Sequence, residues 1–435
     1  MLRALSPLDG RYENKTEVLR PYFSEEGLIH ARLLIEIEWF ITLCESKEIR
    51  ECSRLKKSDE EKLRAILEKF SLSTAEEVKK IEKKTNHDVK AVEYFMKSEM
   101  RKTPGLRKNA EFVHFCLTSE DVNNLSYGVL IHEALRHVIR PQIKSLAASL
   151  NGFARRWERE KMLSLTHGQA ATPTTVGKEF LVFARRLERQ LNLLQAFKMQ
   201  GKFGGAVGNY SAHKAAYPEI KWEVFGKKFV RSLGLDPIDS ATQINPHDDL
   251  AELSHTMELI NTILIGFSRD MWMYISRGVF RQKVIAGEVG SSTMPHKVNP
   301  IDFENAEGNL GLSNALFKHF AEKLPISRLQ RDLSDSTVQR SLGSAFGYHT
   351  IAIDSLIKGL KKIELNRKVL TKELEDHPEV RAEAIQVVLR KHGVEGAYEK
   401  LKKLTRGEKV THEEIDKFVL GLQIPKQEKD RLLIR

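Results

Sequence analysis

Residues 250–274 read LAELSHTMELINTILIGFSRDMWMY. Leu250, Leu253, Met257, Ile260, Leu264, Phe267, Met271 and Tyr274 recur in alternating steps of three and four. That is a heptad seam, and it is sustained over about 25 residues. A stripe so apolar does not belong on a lone surface helix and has to be buried against other long helices. Helical patterns also occupy 24–50, 58–70 and 75–101, then run from Thr118 to about Glu158 with Pro141 as the kink. Another begins near Thr174 or Thr175, with Val176, Phe180, Phe183, Leu187, Leu191 and Leu194 on one face. No convincing strand alternation appears. The expected fold is all-α in three parts: a helical domain over 1–110, a long-helix bundle over 111–364, and shorter charged helices over 365–435.

Just after the seam, Gly287 to Asn299 reads GEVGSSTMPHKVN. Two glycines permit close backbone approaches. Ser291 and Ser292 add hydroxyls, and Lys297 adds a fixed positive charge beside His296. Asn299 suits an N-cap, Pro300 suits a first helical turn, and Asp302 and Glu304 favour the positive end of the helix dipole. The loop thus offers what is needed to hold a carboxylate and the charge that develops when a proton leaves the neighbouring carbon. A Gly-Ser loop at a helix start is usually only a connection, and composition alone favours that reading.

Five other clusters carry the same ambiguity. Arg11 and Tyr12 follow the turn SPLDG, where such a pair is commonly a surface feature. Asn86, His87 and Asp88 stand at a helix start, where polar residues commonly serve as caps. In LTSED, Thr118 and Asp121 approximate a capping box around Ser119. His167 sits in the turn Thr-His-Gly-Gln, an unusual place for a core histidine. Further on, SRLQRDLSDSTVQR sets Arg331, Ser336 and Arg340 near a helix start, two guanidiniums and a hydroxyl suited to a phosphate or to a solvated face. The glycine-rich GKFGGAVGNY lacks the GxGxxG spacing and a preceding strand, so it is no dinucleotide fingerprint.

The string GSSTMPHKVNP resembles the signature loop of the fumarase/aspartase superfamily, and the His296-Lys297 pair is the variant seen in its adenylosuccinate lyases. THGQxATP, NHD and the Thr118-Ser119 pair are similar to further motifs of that branch, in the same order along nearly the whole chain. Ala170 departs from the proline common there, which loosens the loop slightly. The resemblance implies a three-domain fold and β-elimination of fumarate from adenylosuccinate, giving AMP. It also implies the matching cleavage of succinylaminoimidazole-carboxamide ribotide (SAICAR), both in purine biosynthesis. It implies His167 as general acid and Ser291 as general base. Arg11, Tyr12, Asn86, His87, Asp88, Thr118, Ser119, Gln243, Ser292, Lys297, Asn299, Asn305, Arg331, Ser336 and Arg340 are implied to bind substrate. A homotetramer with each site built from three subunits is implied as well, and no metal or organic cofactor.

Composition bounds these readings. A chain of 435 residues, 41% hydrophobic and 30% charged, can bury a large core. The net charge of +11 suits either nucleic acid or small polyanionic substrates. Its cations are interleaved with acids, as in KKSDEEKLR, so a nucleic-acid partner is not expected. Three cysteines without metal-site spacing argue against a disulfide framework. No 18-residue apolar run and no signal-peptide core occur, so a cytoplasmic protein without a membrane partner is expected. Rival readings are another fumarate-releasing lyase, such as an argininosuccinate lyase, or a catalytically retired relative. Retention of both His167 and Ser291 disfavours the second.

Overall fold

A computed structural model of the chain describes residues 2–285, 287, 293–294, 296–405 and 410–433. The seam forms one helix, Asp248–Ser276. Its positions from Leu250 to Met271 are no more than 3% exposed, while Tyr274 is half-buried. One polar residue per heptad, Ser254, Asn261 and Ser268, is buried beside them. Asn261 is the centre of a clasp that reaches helices Ile301–Lys323 and Leu342–Lys362. His349 Nδ1 donates to Asn261 Oδ1 (2.7 Å), the Asn261 amide donates to Ser313 Oγ (2.9 Å), and that hydroxyl donates to the Ala345 carbonyl (2.9 Å). Burial pushes the His349 ring down to about 4, so it stays neutral. Slipping any of the three helices would strand a buried donor or acceptor, which is how the clasp fixes their register.

Packing divides the chain into two compact units, Met1–Leu146 with Leu187–Ser268 and Glu304–Leu356, and Ala147–Arg186 with Arg269–Phe303 and Ile357–Arg435. In the first, Trp39 of helix Glu25–Glu45 is fully buried against Phe203 and Phe229, ring centroids 4.8 and 5.0 Å away. Its indole N–H donates to the Phe115 carbonyl at 2.9 Å, so burial leaves no polar atom unpaired. In the second, Phe153, Trp157, Phe180 and Phe280 form an aromatic cluster. A separate small core there gathers Ile385, Leu389, Leu401, Ile415 and Val419 of the C-terminal helices.

Three expectations need correction, and the kink expected at Pro141 is present as a π-turn just before it. The 75–101 pattern is two helices, Leu72–Thr85 and Asp88–Arg101, parted at Asn86. Asn86 takes the left-handed conformation (φ 52°) and donates its N–H to Glu82 O at 2.7 Å as a C-cap. The apolar spacing stays in phase across that break, so periodicity alone joins the two. At Pro141 a π-turn, Leu135–Ile139, separates helices Ser119–Ala134 and Arg140–Arg156. The wider turn accommodates the missing N–H and the bulky ring just ahead of it. Among the described residues strands do occur, in three two-stranded pieces, and one strand, Gln200–Gly201, precedes the glycine-rich stretch. The longest is an antiparallel hairpin, Lys161–Thr166 with Gln169–Thr175, whose alternation is blurred by a register shift between Met162 and Ser164 and by Pro173. Finally, the turn after helix Glu25–Glu45 folds back, so that buried Cys44 and Cys52 pair with Cα atoms 4.9 Å apart. Cys116 is free.

No helix among the described residues is long and apolar enough to cross a membrane. If the seam carries the packing, Leu264→Ala, at a site with no exposure, should cost about 2–5 kcal/mol in chemical denaturation. Leu259→Ala, on the exposed face of the same helix, should cost no more than about 0.5 kcal/mol.

Candidate active site

In the first unit the site is built around one carboxylate. Asp121 has no solvent exposure and closes the capping box of helix Ser119–Ala134 by accepting the Thr118 N–H at 2.9 Å. The same carboxylate accepts the Lys202 ammonium at 2.7 Å and the Gly204 and Gly205 N–H groups, each at 3.1 Å. Lys202 returns a bond to the Gly205 carbonyl at 2.7 Å. The glycine-rich stretch is thereby pinned against Thr118 and Ser119. One residue on, the Ala206 carbonyl accepts the Gln243 side-chain amide at 2.7 Å. Gly208 lets this stretch close on its neighbour: it has φ +74°, and a Cβ there would lie 2.1 Å from the Ala241 carbonyl oxygen.

His87 caps helix Asp88–Arg101, its Nδ1 accepting the Lys90 N–H at 3.3 Å. That bond puts the neutral ring's proton on Nε2 of an exposed side chain, so His87 offers an outward donor. Asp88 is engaged inward, accepting from buried Arg32 at 2.6 Å, and Arg340 lies 3.5 Å from the same oxygen. Burial alone would favour a neutral Asp88, but Arg32 and the Val89 N–H outweigh it and hold the carboxyl below its usual range. Arg32 also donates to Asn123 at 2.8 Å, which ties the Asn86-His87-Asp88 segment to the helix that begins at Ser119.

Arg331 is not free to act as a simple phosphate clamp. It forms an ion pair with Glu120 at 3.2 Å and donates to Asp335 at 2.9 Å, joining the Thr118-Ser119 helix start to helix Ser334–Gln339, which carries Ser336. Arg340 follows that helix and is about half exposed, so its charge is the more available. His247 backs the cluster: its Nε2 lies 2.9 Å from the Gln339 side-chain nitrogen and 3.6 Å from Asp335. Two buried carboxyls here share one guanidinium. Burial pushes Glu120 up to about 8 despite Arg331, whereas His247 and Arg331 together overcome burial to hold Asp335 below its usual range. Glu120, His247 and Asp335 could offer ligand atoms within 4.8 Å of one another, but the Arg331 guanidinium already supplies their positive charge.

Arg11, Tyr12 and Asn305 form a second group in the same unit. The Asn305 amide donates to the Tyr12 hydroxyl at 3.1 Å and accepts from Ser355 at 2.8 Å, and the Arg11 guanidinium lies 6.0 Å from the Tyr12 ring centre.

The other residues belong to the second unit. His167 and Gly168 are the two-residue turn of the hairpin, with φ of 54° and 75°, the pattern of a type I′ turn, and His167 is exposed at its tip. Lys297 is exposed and donates its N–H to the Met294 carbonyl at 3.1 Å. Asn299 is half-buried, and the following helix starts at Ile301, one residue beyond the expected start at Pro300. Ser291 and Ser292 lie outside the described residues.

Sequence reasoning missed Lys202, Arg32 and Glu120 as organisers. Lys202 carried a signal, since a lysine amid apolar and glycine residues needs a buried counter-ion; Arg32 and Glu120 carried none. The Glu120 carboxyl, raised by burial, weakens the fold as pH climbs from its unfolded value near 4.5 towards 8, because only the unfolded chain then ionises it. Glu120→Gln should therefore gain stability relative to the parent between pH 5 and 8 and level off above. A melting-temperature difference moving the opposite way would mean an ionised Glu120 paired with Arg331.

A family described as lyase matches residues 10–312, and one described as adenylosuccinate lyase C-terminal matches residues 327–434. An adenylosuccinate lyase of Legionella pneumophila (strain Corby) is 51% identical over 432 residues, 99% of this chain and 95% of the relative. That of Escherichia coli (strain K12) is 50% identical over 431 residues, 99% and 94% of the two chains. Solved structures share the fold. A 3-carboxy-cis,cis-muconate lactonizing enzyme from Pseudomonas putida has TM-score 0.76 at 20% identity, covering 96% of this chain and 92% of that one. A fumarate lyase from Mesorhizobium sp. BNC1 has TM-score 0.76 at 14% identity, covering 96% and 93%. With half of its residues identical to these relatives from end to end, the chain belongs to the adenylosuccinate lyase family.

Proposed function

We propose that this protein cleaves adenylosuccinate to AMP and fumarate, and SAICAR to its carboxamide ribotide and fumarate, by β-elimination. The observation that carries the reading is the 51% identity over 432 residues to an adenylosuccinate lyase. The reaction removes a proton from the carbon beside a carboxylate and returns one to the departing nitrogen, so an acid and a base must flank the substrate. His167, exposed at the tip of its hairpin, is the acid in this reading. Ser291 is the base, its alkoxide stabilised by Lys297 and by backbone N–H groups at the start of the following helix.

Thr118, Ser119, Ser292, Lys297 and Asn299 hold the succinyl carboxylates. His87 turns its Nε2–H to the phosphate beside Arg340, while Arg11, Tyr12, Gln243, Arg331 and Ser336 surround the nucleotide end. Arg331 is held by Glu120 and Asp335, and Asp88 by Arg32, so both act mainly by fixing their neighbours in this reading. Asn86 sets the turn that presents His87, and Asn305 orients Tyr12. The excess of positive charge matches a substrate bearing one phosphate and two carboxylates. The three sequential parts, 1–110, 111–364 and 365–435, and a cytoplasmic homotetramer with sites shared among three subunits, complete the proposal.

Ser291→Ala and His167→Gln should each lower the release of AMP and fumarate by about a hundred- to ten-thousand-fold. Substrate affinity, measured by calorimetry on the same variants, should change only a few-fold. Near-normal turnover in either variant would remove that residue from its proton-transfer role.

A further inference from the structure

The second unit holds a cavity of about 1310 Å³ that His167 does not line, although Thr172 and Pro173 from the end of the same string do. Its walls are the open end of the His167 hairpin, including Lys161, Ser164 and Thr172, and the opposing helix Arg367–Glu375 with the segment through Arg381. We propose that this cavity is a second, non-catalytic binding site for a small phosphorylated molecule of nucleotide class.

Charge is the first argument. Five Lys or Arg side chains line the cavity against three Glu. Arg367 is neutralised by Glu160 at 2.6 Å and Arg381 by Asp416 at 2.7 Å. Arg159 has no hydrogen-bond or ion-pair partner among the described residues. Lys178 meets only its chain neighbour Glu179, at 3.8 Å. One unpaired cation, Arg159, and one held only at 3.8 Å, Lys178, leave the lining with positive charge for an anion, since a concave surface focuses the field of its charges. The hydroxyls of Ser164 and Thr371 lie on the same lining and suit phosphate or ribose oxygens.

The remaining lining argues for a body larger than a bare ion. Leu370, Leu374 and Val380 supply apolar surface, and the volume accommodates a nucleotide. Two imidazoles add complementary functions. His377 Nδ1 bonds to Glu379 at 2.8 Å, which leaves Nε2 as an acceptor. His412 Nδ1 accepts from Arg381 at 3.5 Å, which leaves Nε2–H as a donor. An acceptor and a donor beside apolar surface are what the edge and face of a nucleobase require.

The test is calorimetric titration of the intact protein with ADP, and separately with inorganic pyrophosphate. Two cavity variants are Arg159→Ala with Lys178→Ala, both on exposed side chains, and Thr371→Trp, which fills the space. Arg340→Ala, in the proposed catalytic site, is the control. The parent and the Arg340 variant should show an ADP site that weakens at least tenfold in both cavity variants, while pyrophosphate binds more weakly than ADP and the cavity variants keep their turnover. Unchanged ADP binding in both cavity variants overturns the proposal, as does pyrophosphate binding as tightly as ADP. A change of oligomeric state in the cavity variants, without an ADP effect, would make the cavity an interface between copies and overturn it equally. The inference is independent of the reaction assigned above: failure of that assignment appears as absent turnover in the parent, failure of this one as unaltered binding.

Discussion

The site in the first unit depends on the contact between Asp121 and Lys202, two opposite charges with almost no access to water. Burying such a pair costs several kcal/mol per ion in desolvation, and mutual attraction offsets that only when the remaining lone pairs and protons find partners. Asp121 meets the condition through three backbone N–H groups, and Lys202 through a backbone carbonyl. Since every partner is backbone, the ion pair dictates main-chain path rather than side-chain rotamers. It decides where Thr118 and Ser119 stand and holds the glycine-rich stretch close enough for Ala206 to receive Gln243. Asn124 repeats the device one turn later, exchanging bonds of 2.7 and 2.9 Å with the Lys202 backbone.

Around that hub the cations are graded by how far their charge is already committed. Arg32 is buried and belongs to Asp88 and Asn123. Arg331 is divided between Glu120 and Asp335, and a carboxyl kept protonated by burial leaves that cluster near neutral. Arg340 faces solvent with only a 3.5 Å contact to Asp88. In the proposed reading a substrate phosphate meets least competition at Arg340, while the buried guanidiniums hold the segments that carry His87, Ser119 and Ser336. This is preorganisation by ion pairs that the substrate need not break.

Much of this was legible in the chain, and the limits have physical causes. The heptad seam announced a long buried helix because burial and period are the same information there. The capping box at Thr118 and Asp121 was readable because it is local. The hairpin at 161–175 was not, since a bulge and Pro173 disturb its alternation and a His-Gly turn is a weak signal beside Asn-Gly. Asn86 stayed hidden as a break because the apolar phase on either side of it agrees. The pairings of Asp121 with Lys202, 81 residues apart, and of Glu120 with Arg331 follow from tertiary contact, which no local pattern encodes. The Cys44–Cys52 pair, only eight residues apart, was missed for a different reason: an odd, sparse count of cysteines does not show which of them a turn brings together.

The central claim is the substrate, and the most direct measurement follows AMP and fumarate from the purified protein given adenylosuccinate, beside a parallel tube given argininosuccinate. Equal amounts of AMP and fumarate from the first tube, with argininosuccinate left intact, are the predicted result. Cleavage of argininosuccinate, or no product in either tube from a folded protein, would contradict the account.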